Sequence, residues 1–260
     1  MPIGDHLRNI GLDRYDINAR LKPALLALLP AFIVVGFWFP QARTLTGVGL
    51  GIVTTCGVTY LMAQTVRRLG RAVERSIGEQ AGRLHSARLL THSDTTFAAE
   101  TKARYHAYLE NNGLNISSLE EERLDPNQAF ERARSAVDWL LNHTRPTAKQ
   151  SLLFDENIAY GFYRNLYGIK PLAIGIVIAA ATTHVALMVI APLDATSLRT
   201  GALVAGLLVA LLALWLFFVS GSVVTDASLA YAEKLFSQCE SPAPVASRQA
   251  RSSKESRKVS

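Results

Sequence analysis

Four stretches of the chain carry no charged residue: Pro23 to Ala42, Thr44 to Val66, Pro171 to Leu193 and Thr200 to Thr225. A transmembrane helix needs roughly 20 apolar residues to cross a ~30 Å hydrocarbon core, and a buried core helix of a soluble protein only about 10–14. The pattern therefore predicts four transmembrane helices, arranged as two hairpins. The first apolar run ends in Phe37, Trp38, Phe39 and Pro40 rather than in small residues, so it reads as a retained anchor and not a cleaved signal peptide. Pro30 lies inside it and predicts a kink.

Between the two hairpins the apolar spacing is helical, and no alternation long enough for a sheet appears. Span two continues without a breaker through Val66 to Leu90, so its helix is expected to project from the membrane. Ser93 or Asp94 is a candidate cap for a helix ending near Asn111, with Gly113 as its stop. Ser117 and Glu120 have capping-box spacing, and Asp125–Pro126 is an N-cap and N1 pair. The next helix carries Phe130, Ala133, Val137, Leu140 and Leu141 on one stripe and ends at Thr144 to Pro146. A last helix is expected from about Thr147 to Tyr167, broken by Gly168 and Pro171 before span three. After span four, Asp226 is placed to cap a short helix, Ala227 to Gln238.

The expected fold is thus an all-α integral membrane protein, with a helical cytoplasmic insert between helices 2 and 3. Its parts are a leader (1–22), a hairpin (23–66), a helical domain (67–170), a second hairpin (171–225), a short helix (226–239) and a disordered basic tail (240–260). Composition agrees: 49% of the 260 residues are hydrophobic, 18% are charged, and mean hydropathy is +0.17. Ordinary soluble domains are about 25% charged.

Charge then sets the orientation. The two short connections hold one basic residue each, Arg43 and Arg199. The leader, the central loop and the tail are rich in Arg and Lys, so both termini and the insert are expected to be cytoplasmic. This arrangement and attraction to anionic lipid account for the net charge of +6, which gives no separate case for nucleic acid. Arginine outnumbers lysine 20 to 7, a bias of GC-rich bacterial genomes, so a bacterial inner (plasma) membrane is the expected location.

Enzyme chemistry finds no support in the pattern. Gly47-Val48-Gly49-Leu50-Gly51 lacks the preceding strand and soluble helix that a dinucleotide site requires. His85, His92 and His106 do not fall at metal-ligand spacing, and no Cys pair backs them, so no metal or cofactor is expected. Cys56 at mid-membrane reads as a small packing residue; Cys239 belongs to the other end of the chain, and the two are not placed to pair.

What the spans do offer is small residues at i, i+4 intervals: Gly47, Gly51, Thr55 and Thr59; Gly175, Ala179 and Thr183; Ala202, Gly206 and Ala210. Such ridges join helices within one chain or between copies, and sequence does not separate the two. Thr55 and Thr59 give span two a mildly polar side, the feature a pore would use. His184 is the one ionisable group at membrane depth, either a proton relay or a hydrogen-bonding group between helices. Arg67, Arg71 and Arg75 share a helix face near the headgroups, and Tyr163 and Tyr167 precede span three, all candidates for lipid or partner contact.

The leading expectation is an oligomeric membrane protein whose cytoplasmic helices sense or dock an unknown protein partner, and whose spans form or perturb a pore as a membrane effector. A non-conducting anchor or scaffold is the alternative, with a coupled transporter or a stator-like ion-driven unit behind it.

Overall fold

The computed structural model describes residues 13–39, 45–76, 83–143 and 152–240; the side chains at 45–55, 74–76 and 83–84 lie outside that description. Every regular element among the described residues is helical: α1 (Arg14–Trp38), α2 (Leu45–Ser76), α3 (Arg83–Leu90), α4 (Ala99–Asn111), α5 (Leu119–Leu124), α6 (Pro126–His143), α7 (Leu152–Ile190), α8 (Ala195–Phe217) and α9 (Gly221–Phe236), then a 3₁₀ turn, Ser237–Glu240. Three of them, α1, α7 and α8, are long and apolar enough to cross a membrane, the make-up of a multipass membrane protein. The chain divides into two compact units, one of residues Met1–Gly82 and Ala148–Tyr231, the other of Arg83–Thr147 and Ala232–Ser260.

The first unit is built around α7, against which α1, α2 and α8 all pack. Its core joins Ala24, Ala27, Val66, Ile169, Ala173, Val177 and Trp215. The expected break at Gly168 and Pro171 does not occur: α7 begins at Leu152 and runs unbroken to Ile190. A proline inside a helix removes one backbone bond and costs ~3 kcal/mol. Here Ile169 and Ala173, on either side of Pro171, are both fully buried in the same core, and that packing holds the helix straight through. Gly168 serves close approach instead. A Cβ on it would lie 2.8 Å from the Gly70 backbone nitrogen, so α2 and α7 cross glycine on glycine.

Span four is also shorter than its uncharged stretch. α8 starts at Asp194, whose carboxylate accepts from the Thr196 and Ser197 amides, and ends at Phe217. Lys170 of α7 causes the stop, donating its ammonium to the carbonyls of Leu216 (3.0 Å) and Val219 (2.7 Å). A cation at a helix C-terminus satisfies orphan carbonyls and opposes the dipole. Asp226 consequently sits inside α9 rather than capping it.

In the second unit α6 packs against α3 and α5, burying Ala129, Ala133, Ala136, Val137 and Leu140. Asp125 caps α6 as expected, accepting from the Gln128 amide at 2.9 Å. Gly113 takes φ +85° and ends α4, a conformation that disfavours any side chain. Two caps differ from expectation. The capping box is Ser118–Glu121, one residue later than the equally spaced Ser117–Glu120, because Glu122 is turned toward the 92–93 backbone and fixes the helix phase. Neither Ser93 nor Asp94 caps α4, which starts at Ala99 without a side-chain cap. The Asp94 carboxylate accepts from the Thr96 amide within its own loop. Residues 77–82 and 144–150, where the continuation of span two and the end of α6 were expected, lie outside the described residues.

Candidate functional site

Two polar assemblies stand out, one in each unit. In the first, Asn165 is wholly buried on α7 and its amide donates to the Ala19 carbonyl at 2.6 Å. Ala19 lies in a π-helical turn, Ile17–Leu21, within α1. A Cβ on Gly70 would fall on Asn165 Oδ1, so the Gly70 Cα–H points at that oxygen, which has no other partner. Gly161, one turn earlier, lets the Tyr15 hydroxyl in: a Cβ there would lie 2.6 Å from it. Three helices thus meet at Gly161, Asn165 and Gly168, at i, i+4 and i+7 on one face of α7. Sequence reasoning missed Asn165, although that spacing was the signal for it.

His184 is likewise fully buried. Trp38 Nε1 donates to its Nδ1 at 3.0 Å, and its Nε2 lies 2.9 Å from the Gly201 carbonyl. Indole nitrogen only donates, so Nδ1 is the acceptor and the ring's proton sits on Nε2, given to Gly201. Both nitrogens are engaged, and the ring cross-links α1, α7 and α8.

The other sequence-selected residues scatter. Thr59 is buried inside the bundle. The side chains of Thr55 and Arg75, and the surroundings of Gly47 and Gly51, lie outside the described residues. Arg67 and Arg71 are exposed on α2. Tyr163 is exposed, whereas Tyr167 packs inward against Tyr160 and Val224. Cys56, expected to be a packing residue, is exposed on its helix, and Cys239 is buried in the 3₁₀ turn, where burial pushes its thiol pKa up to about 12.

The second unit holds a cleft of about 680 Å³ along α4 and the loop before it. Its walls include His92, Asp94, Phe97, Lys102, His106 and Glu110, with Ala99, Ala103 and Ala107 as small residues between them. Charged side chains tie the loop down through its backbone. The Glu122 carboxylate accepts from the His92 and Ser93 amides at 2.6 and 2.9 Å. Burial alone would raise its pKa, but those two amides hold it below the usual carboxylate value. Lys102, on the buried stripe with Tyr105, His106 and Leu109, donates to the carbonyls of Thr91 (2.6 Å) and Asp94. Desolvation lowers its pKa against the opposing pull of Asp94 and Glu122.

The two cleft histidines are placed by backbone as well. His106 Nε2 lies 2.7 Å from the Leu90 carbonyl, and His92 Nε2 lies 3.0 Å from the Ser117 carbonyl. In the neutral form each ring therefore carries its proton on Nε2 and keeps Nδ1 as an acceptor. Their rings meet edge to face at 5.0 Å. Burial is the main cause that lowers the His106 pKa, with the neighbouring His92 and Lys102 adding to it.

No protein-family model, curated protein or solved structure matches the chain. Among the described residues, no three His, Cys, Asp or Glu side chains come together as a metal site. The cleft is lined by two acids, Asp94 and Glu110, and by two histidines, with alanines between them. That arrangement suits binding of a donor-rich group.

Proposed function

We propose that the chain is an oligomeric multipass membrane protein that anchors a helical docking unit at the cytoplasmic face of a bacterial membrane. In this reading the uncharged stretch Thr44 to Val66 is a fourth span, the spans pair as two hairpins, and both termini are cytoplasmic. One observation carries the oligomer. The ridges Gly175, Ala179 and Thr183 on α7 and Ala202, Gly206 and Ala210 on α8 are all exposed. A Cβ on Gly175 or Gly206 would meet nothing within 4 Å, while the crossings inside the subunit use Gly70, Gly161, Gly168 and Gly201. In lipid, helices associate through close packing of small residues, so these outward ridges suit a second copy of the chain.

The inward position of Thr59 favours a non-conducting anchor over a pore lined by α2. Arg67 and Arg71, exposed on α2, suit anionic headgroups. Native mass spectrometry of the protein in nanodiscs tests the assembly. Wild type should be oligomeric, and Gly175→Leu/Gly206→Leu should be monomeric with unchanged helicity. A monomeric wild type, or a double variant that assembles normally, would refute the reading.

A further inference from the structure

The cleft along α4 lies on the helix where the described chain ends. Glu240 is bound to Arg104 Nε at 2.7 Å. Phe236 stands 5.8 Å from the Phe97 ring and 5.9 Å from the Tyr105 ring, so the start of the following segment is fixed beside the cleft. That segment, residues 241–260, opens with a neutral stretch, Ser241 to Ser247. It then carries Arg248, Arg251, Lys254, Arg257 and Lys258 against the single acid Glu255.

We propose that the cleft is the seat of this basic C-terminal segment, which occupies the docking unit until a partner displaces it. The inference rests on the reading of this unit as a docking module and adds its regulation. Reach is ample. A helix is about 10–12 Å across, and an extended chain covers roughly 3.3 Å per residue, so the seven neutral residues bring Arg248 around α4 with length to spare. The chemistry is complementary. Guanidinium and ammonium groups only donate, and the cleft is lined by the exposed acid Glu110 together with Asp94, His92 and His106. Lys102, the one Lys or Arg among the described residues of the wall, is drawn toward the carbonyls of Thr91 and Asp94. Tethering supplies an effective concentration in the millimolar range, which makes a weak contact sufficient.

Hydrogen–deuterium exchange on the full-length protein in nanodiscs of zwitterionic lipid tests this. A contact with a dissociation constant on the order of 100 µM gives about tenfold protection at millimolar effective concentration. The amides of Thr95 to Ala98 should therefore exchange about tenfold faster in Arg248→Glu/Arg251→Glu. Glu110→Lys, a change at an exposed position, should do the same. Combining the three substitutions should restore protection through the reversed ion pairs. Equal exchange in wild type and the Arg248→Glu/Arg251→Glu variant overturns the proposal. So does protection that follows the anionic lipid content of the disc and ignores residue 110, which would assign the segment to the membrane surface. Restored protection in a protein that captures no partner would retain the tail contact and remove only the docking reading beneath it.

Discussion

The two units bury polar side chains by different means. In the membrane unit two of the buried polar groups, Asn165 and His184, are uncharged, and each donates to the backbone of a neighbouring helix. In the second unit the corresponding work falls to ions, Glu122 and Lys102, which hold a loop through its amides and carbonyls. The contrast follows from surroundings. A span lacks water to solvate a charge, so its polar contacts are made by amide, imidazole and indole, and the fit comes from glycine. A small unit of short, polar helices keeps charges near its surface and uses them as strong hydrogen-bonding groups. The membrane unit should accordingly be sensitive to volume, and the second unit to charge and pH.

The largest effect is expected at the glycine crossing. Gly168→Leu forces a side chain against the Gly70 backbone and should destabilise the membrane unit by about 3 kcal/mol, the upper range of overpacking. Thermal unfolding in detergent reads this directly, with Gly175→Leu as the contrasting substitution that leaves subunit stability unchanged. Parity between the two would erase the distinction between inward and outward glycines.

Next comes Glu122→Ala, which leaves two amides without their acceptor and should cost the second unit about 2 kcal/mol. Stability of the second unit should also depend on pH. His106 has a folded pKa below its ordinary 6.5, so the unfolded chain takes up the proton first. Its contribution is complete above pH 6.5 and declines as pH falls from there toward the folded pKa. Glu122 is also depressed, so its contribution holds above about 4.5, its ordinary value, and is lost as pH falls through the lower folded value. Exchange of the second unit's amides should therefore quicken in two stages on acidification, with His106→Gln removing the upper one. A single acidic stage in both proteins would show that His106 is uncoupled from stability.

Smallest is Trp38→Phe. It removes the donor to His184 Nδ1 while keeping an aromatic ring, and should cost about 1 kcal/mol. Unchanged unfolding in that variant would mean that the cross-link between α1 and α7 contributes only through packing.

Charge-free runs made three of the helices legible, because span length is a composition-level signal. Local chemistry also located the Asp125 cap and the Gly113 stop. What escaped were partnerships between distant residues. Lys170 ends α8 by reaching carbonyls 46 and 49 positions away, and nothing near Phe217 announces it. Gly168 beside Pro171 has the local look of a breaker, and only the presence of Gly70 across the crossing explains it. The capping box slipped by one because two overlapping Ser–Glu pairs have identical spacing. For the cleft, a lysine on the buried stripe of α4 was the available clue. The loop carbonyls that Lys102 holds could not be read from the residue types around it.

The π-turn in α1 has a bearing on how this chain tolerates changes of length. A π-turn holds one residue more than the helix around it. Deleting one residue between Ile17 and Leu21 would turn the π-turn into an ordinary α-turn and leave both flanks in register, whereas the same deletion in the α-helical body would swing everything before it by roughly 100°. The span beyond Pro23 would keep its seat, and Tyr15 would still face Gly161. The turn is thus a register shim: it lets the apolar body of the helix and its polar N-terminal end each find its own partner on α7.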